Sequence, residues 1–440
     1  MKIQYIDLFS GLGGIRIGLE QALKERGYEG QCVFTSEIKK SAIEALNHNF
    51  PDEHIVQTDI TKVDPCEIQP FKILLGGFPC QAFSTAGKKK GFEDTRGTLF
   101  FDIYRILKKH LKNVDGFILE NVEGLLTHDK KDPTNEIGNT LTVILNVLRN
   151  DLKYNVSYAV LDASHFGVPQ ARKRIYIVGC KKKFGSIDLN FETPIRCTVE
   201  SCLERGLPCI KNDFTGHLLS KWNLKDLQGK YFKDKRGGAK NIHSWDIECK
   251  GPVSQDQKDL LNLLFKERRK HKWASIIGID WMDGMPLTCE QIRTFYNHDD
   301  LQAMLDDLCE KKYLVYEHPK QLLKKNGYTE RIPDQTLPKG YNIVTGKLSF
   351  EFSHILDPDN IAPTIVAMDM NTLGVVDDSG LRHLTLKEGL RLFGYPDSYS
   401  LDYLNGSRSG VKLGYDLLGN SVCVPVIKAV ALRLLDKILR

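Results

Sequence analysis

The chain has 440 residues, of which 41% are hydrophobic and 27% are charged, and its formal net charge is +5. These values are typical of a globular protein large enough for two domains, and they exclude a disordered or fibrous chain. No apolar run is as long as a membrane span and the first residues lack the pattern of a signal peptide, so we expect a cytoplasmic protein without membrane contact. The eleven cysteines lack the spacing of a disulfide framework or a zinc site, so no metal is expected.

Strand and helix patterns alternate over the first 180 residues, which is typical of a doubly wound parallel sheet. Apolar runs predict strands at residues 3–9, 31–36, 73–75, 116–119, 154–161 and 174–179. Amphipathic patterns predict helices between them at residues 15–26, 39–49, 99–111 and 140–152. The prediction is an α/β fold with a mostly parallel sheet, in a first domain over residues 1–185.

The composition becomes irregular and richer in glycine and lysine after about residue 183. We therefore predict a second, smaller domain over residues 186–365. Within it, patterns predict helices at residues 254–272 and 287–312 and a strand at residues 313–316. This order fits a winged-helix-like insert around residues 254–316, and an unrelated helical insertion fits it equally well. Further helices, predicted at residues 385–393 and 424–439, indicate that residues 366–440 return to the first domain.

A glycine-rich turn follows the first strand, where residues 7–14 read Asp-Leu-Phe-Ser-Gly-Leu-Gly-Gly. Such a turn lets a ligand approach the backbone at a helix N-terminus, but its spacing departs from the pattern that cradles a pyrophosphate. Glu37 follows the next strand, where it could accept hydrogen bonds from ribose hydroxyls, and Asp59 follows the next helix. A ligand with ribose and adenine but no phosphate, such as S-adenosylmethionine, fits better than a dinucleotide. Taken alone, Glu37 could equally be a surface carboxylate.

Three further segments carry residue types suited to catalysis. Cys80 lies in a Gly- and Pro-rich loop after a buried strand, where a thiol can act as a nucleophile, although a single free cysteine is more often a core residue. Glu120 follows another strand at the same predicted edge, where an apolar setting raises the pKa of a carboxyl group. Arg172 and Arg174 share one side of a strand by alternation, or form a solvated basic turn.

Taken in order, these segments resemble the motifs of DNA (cytosine-5) methyltransferases of the bacterial modification type. The matching segments are residues 7–14, 77–84, 94–102, 120–122, 170–179, 382–396 and 419–422. The resemblance implies a Rossmann-like methyltransferase fold that uses S-adenosylmethionine. It also implies methyl transfer to carbon 5 of a cytosine flipped out of a specific duplex DNA sequence, through a covalent bond to carbon 6.

The resemblance also implies residue roles. Cys80 would be the nucleophile, Glu120 the acid near ring nitrogen 3, and Arg172, with Arg174 nearby, the group that stabilises the anion. The implied cofactor site consists of Phe9, Ser10, Gly11, Leu12, Gly14, Glu37, Ile38, Asp59, Ile60, Pro79, Leu99, Asn420 and Ser421. Many relatives place an aromatic residue where this chain has Ile38, so we expect apolar contact alone to hold the adenine.

Two segments resemble the DNA-contacting loops of the family: residues 84–98 resemble the loop that closes over the flipped base, and residues 235–238 a recognition loop. The expected DNA contacts are Gln81, Ser84, Lys88, Lys89, Lys90, Arg96, Arg236, Gly237 and Gly238. The resemblance implies that the chain acts on double-stranded DNA as a monomer. It also implies that it protects host DNA from a cognate restriction endonuclease, which acts on the same site without a stable complex.

Three alternatives belong to other classes of function. An RNA cytosine-5 methyltransferase would keep these motifs, but such enzymes are usually shorter between residues 185 and 360. A non-catalytic DNA-binding regulator would not need intact Cys80, Glu120 and Arg172. An NAD-dependent dehydrogenase is disfavoured by the glycine spacing.

Overall fold

The computed structural model describes residues 1–439 except residues 54, 80–98, 131, 133, 193, 235–239, 280–283, 326–327, 345–349 and 368. The chain divides into two compact units. The first unit contains Met1–Glu204, Asp357–Asn371 and Leu384–Arg440, and the second contains Arg205–Leu356 and Thr372–His383. The sequence-based division placed its boundaries at residues 185 and 365. In the structure the first unit extends to Glu204, and the second unit also includes the later segment Thr372–His383.

The strands, numbered in chain order, differ in length between the two units. They are β1 (Lys2–Leu8), β2 (Glu29–Ser36), β3 (Ile73–Gly77), β4 (Gly116–Val122), β5 (Tyr154–Asp162), β6 (Lys173–Lys181), β7 (Tyr231–Phe232), β8 (Asn241–Ile242), β9 (Leu314–Glu317), β10 (Lys320–Lys325), β11 (Tyr328–Pro333), β12 (Gly340–Ile343), β13 (His354–Ile355), β14 (Leu373–Asp377) and β15 (Gly380–His383).

The helices are numbered in the same way. They are α1 (Gly14–Glu25), α2 (Lys40–Asn49), α3 (Leu99–Lys109), α4 (Asn139–Asn146), α5 (Asp213–Leu219), α6 (Leu224–Leu227), α7 (Ser244–Ile247), α8 (Gln255–Glu267), α9 (His271–Ile276), α10 (Cys289–Arg293), α11 (Leu301–Glu310), α12 (Leu386–Leu392), α13 (Arg408–Gly419) and α14 (Val424–Ile438). Helix α4 continues into a π-helical turn at Val147–Asp151.

In the described part of the first unit, six strands form one sheet in the order β2-β1-β3-β4-β6-β5. Strands β2, β1, β3 and β4 are mutually parallel, whereas β6 runs antiparallel to β4 and β5 antiparallel to β6. The predicted α/β fold with a mostly parallel sheet is therefore confirmed. The sequence pattern had not indicated the direction of β6, which matters for the site described below.

Both faces of this sheet are covered. Leu74 of β3 and Phe117 of β4 belong to a core that includes Phe100 of α3 and Ile144 of α4. The alternate positions of the same strands are also buried, and α1 and α14 contact the strands there. Burial on both faces is the usual state of parallel strands, and it explains why they read as continuous apolar runs.

The second unit has its own sheet, in the order β15-β14-β13-β7-β8. A separate helical core includes Trp245, Leu264 and Leu305. The helix predicted over residues 254–272 is two helices, α8 and α9, because Lys270 adopts an extended backbone with ψ 132. The helix predicted over residues 287–312 is α10 and α11, and its first residue, Leu287, instead forms a strand-like bridge.

One helical stretch within the described residues, Arg408–Ile438, is long and apolar enough to cross a membrane by composition alone. It consists of two helices, α13 and α14, separated by residues 420–423. Because 67% of its most apolar window is buried, it is better explained as part of the protein core. Pro425 in the first turn of α14 marks the start of the second helix.

Candidate active site

The candidate active site lies where several strands of the first sheet meet at one edge. Strands β1, β2, β3 and β4 are parallel, so their carboxyl ends share this edge. Because β6 is antiparallel to β4, its first residues also lie there, with Arg174 opposite Val122 and Tyr176 opposite Glu120. The topology therefore brings the beginning of β6 to the edge that ligands occupy in open α/β sheets.

A cavity of about 430 Å³ opens at this edge, which is within the range of small-molecule sites. Its lining includes residues predicted to bind the cofactor and residues predicted to act in catalysis. Those predicted to bind the cofactor and found in its lining are Phe9, Gly11, Glu37, Ile38, Asp59, Ile60, Pro79, Leu99 and Asn420. Those predicted to act in catalysis and found there are Glu120, Arg172 and Arg174.

Four predicted cofactor residues, Ser10, Leu12, Gly14 and Ser421, are absent from the lining of the cavity. Ser10 and Leu12 are buried, and the Ser421 hydroxyl lies 2.6 Å from the hydroxyl of Tyr395. A Cβ atom at Gly14 would lie only 2.6 Å from that same Tyr395 hydroxyl. These four residues therefore lie outside the cavity, and at Gly14 close packing leaves no room for a larger side chain.

Three residues of the glycine-rich turn have a left-handed backbone conformation, and two of them, Phe9 and Gly11, line the cavity. The φ angles are 57° at Phe9, 55° at Gly11 and 72° at Gly13. This conformation is strained for Phe9, and strain of this kind is concentrated at functional sites. A Cβ atom at Gly11 would meet nothing within 4 Å, so the turn leaves open space beside the cavity.

The Glu37 carboxylate is fixed by backbone donors. Its Oε2 accepts a hydrogen bond from the Gly11 N–H at 2.9 Å, and its Oε1 accepts from the N–H groups of Ile38 and Lys39, each at 2.8 Å. A carboxylate oxygen can accept two hydrogen bonds, so Oε2 retains room for one more donor. The side chain thereby joins the glycine turn to the end of β2.

Glu120 is a nearly buried carboxyl group, 9% exposed, between two arginines. Its Oε1 lies 3.2 Å from Nε of Arg174. Burial raises the pKa of Glu120, and the positive charges of Arg174 and Arg172 oppose that rise only in part. A carboxyl group in this setting can hold a proton and donate it to a bound ligand.

Arg172 is buried and held by backbone carbonyl groups from distant segments. Its guanidinium donates to the carbonyl oxygens of Ile365 at 2.8 Å, Ser421 at 2.6 Å and Gly419 at 3.2 Å. Its Nε is buried and has no hydrogen-bond partner among the described residues. Buried donors are nearly always satisfied, so this N–H, in a residue that lines the cavity, is a candidate donor to a ligand.

Several residues of the cavity were missed from the sequence. Asn121 is buried and donates from Nδ2 to the carbonyl oxygen of Phe78 at 2.7 Å, which fixes the loop before Pro79. Lys39 pairs with Asp416 beside the predicted adenine position. The signal for Asn121 was its place in the Glu-Asn-Val segment, whereas nothing local indicated the Lys39 contact.

The predicted nucleophile Cys80 lies outside the described residues, as do all the predicted DNA contacts. Those contacts are Gln81, Ser84, Lys88, Lys89, Lys90, Arg96, Arg236, Gly237 and Gly238. The part of the chain that the structure describes contains no group of three or more His, Cys, Asp or Glu side chains that could hold a metal ion.

Two solved structures share the overall fold of this chain. The Dnmt2 methyltransferase of S. pombe is 16% identical with a TM-score of 0.51, and the alignment covers 99% of both chains. The methyltransferase EhMeth of Entamoeba histolytica is 15% identical with a TM-score of 0.51, over 99% of this chain and 98% of that one. At these identities the likeness supports the fold alone.

Sequence comparisons are more specific. Residues 3–436 match the family model described as C-5 cytosine-specific DNA methylase. The type II methyltransferases M.NlaIV of Neisseria lactamica and M.NgoBV of Neisseria gonorrhoeae are 60% and 58% identical, each over 99% of both chains. M.BanI of Aneurinibacillus aneurinilyticus is 39% identical over 98% of this chain and 95% of its own length. The chain therefore belongs to the C-5 cytosine-specific DNA methylase family and is a DNA cytosine-5 methyltransferase of the bacterial modification type.

Proposed function

We propose that this enzyme transfers the methyl group of S-adenosylmethionine to carbon 5 of a cytosine flipped out of duplex DNA, through a covalent bond between Cys80 and carbon 6. The observation that carries the proposal is the shared cavity. There, the acid candidate Glu120 and the donor candidate Arg172 line the same space as Gly11 and Glu37.

The residues of the cavity fit the proposed cofactor. Glu37 retains an acceptor position for a ribose hydroxyl, and Gly11 leaves space for close approach of a ligand. Ile38, 61% exposed at the cavity, offers the adenine an apolar surface, and Leu417 adds another apolar side chain to the lining. When bound, S-adenosylmethionine supplies a methyl group activated by its sulfonium charge.

The residues of this chain then activate the cytosine. The Cys80 thiolate adds to carbon 6, which makes carbon 5 nucleophilic and moves negative charge into the ring. Glu120, whose pKa is raised by burial, holds a proton toward ring nitrogen 3, and Arg172 Nε–H donates to the carbonyl oxygen of the base. After methylation, a base from solvent takes the proton at carbon 5. The electron pair of that C–H bond re-forms the double bond to carbon 6 and expels the Cys80 sulfur as a thiolate.

The substrate must leave the base stack to reach this cavity, which costs a few kcal/mol. Residues 84–98 would close over the extruded base, with Lys88, Lys89 and Lys90 on phosphates, and the second unit would select the sequence. The proposal includes a cytoplasmic enzyme that acts as a monomer and protects host DNA from a restriction endonuclease. The resemblance to type II methyltransferases supports the modification role.

A covalent trapping experiment tests this function. Duplex DNA substituted with 5-fluorocytosine should form a stable adduct with the enzyme only when S-adenosylmethionine is present, and peptide mass analysis should place it on Cys80. Cys80→Ser should form no adduct and still bind DNA. Failure of the wild-type enzyme to form the adduct would contradict the proposed mechanism. Methylation of tRNA in preference to duplex DNA would contradict the proposed substrate.

A further inference from the structure

Residues 255–343 of the second unit follow the chain order of a winged helix-turn-helix domain. Helices α8 and α9 come first, then a one-residue strand at Leu287, then α10 and α11, and finally β9, the hairpin β10–β11 and β12, so that α9 is an addition to the usual order. Leu287 and Tyr341 exchange both backbone hydrogen bonds, at 3.0 and 2.7 Å. Because β12 also pairs antiparallel with β9, the three strands have the order Leu287-β12-β9.

The helices of this segment enclose their own core. Helix α11 is amphipathic, and its Leu301, Leu305 and Leu308 are fully buried with Leu260 and Leu264 of α8. Along the chain, the β10–β11 hairpin connects β9 to β12, as a wing connects the last two strands of a winged helix. The core and the strand order together favour a winged helix over an unrelated helical insertion, which the sequence had left open.

In helix-turn-helix domains the second helix of the motif usually enters the major groove of DNA. Here that helix is α11, and its sequence contains no lysine or arginine. Its exposed face and the residues before it are instead acidic. The half-buried or exposed acidic residues are Asp299, Asp300, Asp306, Asp307 and Glu310. Phosphates would repel this face, so α11 is a poor candidate for contact with DNA.

Positive charge is concentrated beside the wing. A cavity of about 720 Å³ lies between the end of α8, the end of α11 and the strands β9 and β12. One acidic side chain, Glu317, lines it, against four basic ones, which are Arg268, Lys312, Lys320 and Arg331. Arg268 is buried and donates to Asn342 of β12 at 2.7 Å, so it has a structural role as well.

The surroundings of this cavity extend the basic surface. Residues 268–272 at the end of α8 read Arg-Arg-Lys-His-Lys, and Glu267 pairs there with Lys270 and with Lys272 at 3.6 Å. Tyr316, 53% exposed, adds an aromatic surface to the lining. We use the name wing-side groove for the basic cavity together with residues 268–272, the run that begins with the lining residue Arg268.

We propose that residues 255–343 form a winged helix-turn-helix module that binds the phosphates of duplex DNA through the wing-side groove, with α11 directed away from the DNA. This inference rests on the proposed function, since it assumes a duplex DNA substrate, and it assigns one DNA contact of the second unit. Contacts of this type position DNA without reading its bases.

The test compares two triple variants of the full-length enzyme. The groove variant is Lys312→Ala, Lys320→Ala and Arg331→Ala. The matched control is Asp299→Asn and Asp300→Asn, directly before α11, with Glu310→Gln at its end. Binding to a fluorescein-labelled 30-base-pair duplex of mixed sequence is measured by anisotropy at several NaCl concentrations. The plot of log K against log salt has a negative slope, and loss of three phosphate contacts should reduce its magnitude by about 2 to 3. Affinity at 0.1 M salt should fall by about tenfold or more.

The control variant should bind as tightly as the wild type, or more tightly, because acidic charge is removed. Unchanged affinity and slope in the groove variant would overturn the proposal. So would a control variant that methylates a different set of sites by bisulfite sequencing, since α11 would then contact bases.

Thermal melts check folding, and the single variant Lys320→Gln, with an expected slope change of about 1, replaces the triple variant if that one unfolds. A wild type that binds DNA but transfers no methyl group would contradict the proposed function alone.

Discussion

At the scale of single residues, the charge state of Glu120 is set by two opposing effects. Burial favours the neutral acid, while the guanidinium of Arg174, 3.2 Å away, and that of Arg172 favour the carboxylate. The net effect raises the pKa of Glu120. In the proposed mechanism, the Glu120 proton would therefore be available at a higher pH than that of an exposed glutamate, and it would be lost as the pH rises through that pKa.

The first prediction concerns that proton. Glu120→Gln keeps the shape of the side chain but cannot transfer a proton, so turnover should fall by about 10²- to 10⁴-fold. Glu123→Gln, an exposed substitution three residues later, should leave turnover unchanged. Transfer of tritiated methyl groups to plasmid DNA measures both rates. Near wild-type turnover in Glu120→Gln would remove this residue from the acid role.

A second residue-scale prediction concerns Asp7, which lies beneath the glycine turn. Asp7 is 1% exposed, and its carboxylate oxygens have no hydrogen-bond partner among the described residues. Burial raises the pKa of Asp7 to about 7, although Arg16 opposes the shift. The folded chain thus binds this proton more tightly than the unfolded chain. The resulting stability is greatest below about pH 4, near the unfolded pKa, and is lost as the pH rises through about 7.

Asp7→Asn is neutral at every pH and should lack this dependence. The free energy of unfolding of Asp7→Asn minus that of the wild type should therefore become larger by roughly 2 to 3 kcal/mol from pH 5 to pH 8. Urea unfolding at the two pH values measures the difference. If the two proteins lost stability in parallel, the Asp7 carboxyl group would not be the titrating group.

At the scale of elements, the terminal helix α14 packs closely on α1 through a glycine. A Cβ atom at Gly18 would lie 2.6 Å from Cβ of Ile427 and 3.0 Å from the backbone nitrogen of Lys428. Neither atom is the end of a flexible side chain, so the two helices would have to separate. The contact joins α1 to α14, the helix that follows the segment containing Asn420.

Gly18→Ala should therefore destabilise the protein by about 1 to 2 kcal/mol, because overpacking outweighs the better helix propensity of alanine. The matched control is Gly216→Ala in α5, where a Cβ would meet nothing within 4 Å and stability should stay equal or rise. Thermal unfolding of both variants provides the comparison. Equal stability of Gly18→Ala and the wild type would indicate that α1 and α14 pack less closely than described.

Also at this scale, the sequence predicted β1, β3 and β4 well because their apolar runs are continuous and end in distinctive loops. It did not predict α13, and it merged α8 with α9 and α10 with α11. The breaks within those merged helices lie at residues 268–270 and 294–300. The second predicted helix also began too early, because Leu287 pairs with Tyr341, a tertiary contact that no local pattern shows.

At the scale of the whole molecule, the second unit is assembled from two segments of the chain. Strand β13 of the first segment pairs with β14 of the second, with His354 opposite Leu373 and Ile355 opposite Gly374. Between these segments, Asp357–Asn371 belongs to the first unit and supplies the Ile365 carbonyl that holds Arg172. An exchange of sequence specificity must respect this division.

We therefore predict different outcomes for two chimeras with a relative of different specificity. A chimera that exchanges residues 205–356 and 372–383 together should fold and methylate the donor's sites. One that exchanges residues 205–356 alone should fold poorly, because β13 and β14 would come from different proteins. Thermal melts and bisulfite sequencing distinguish the two results. Retention of the original sites by the first chimera would show that the second unit does not select the target.

The sequence by itself determined the family, the α/β class and most of the cavity lining, because glycine spacing, apolar runs and motif order are local properties of the chain. It did not separate Ser10, Leu12, Gly14 and Ser421 from the residues that face the cavity. Only the tertiary structure decided that β6 runs antiparallel, which brings Arg174 beside Glu120. It likewise decided which carbonyls hold Arg172, since strand direction and contacts between segments about two hundred residues apart arise from packing and not from local pattern.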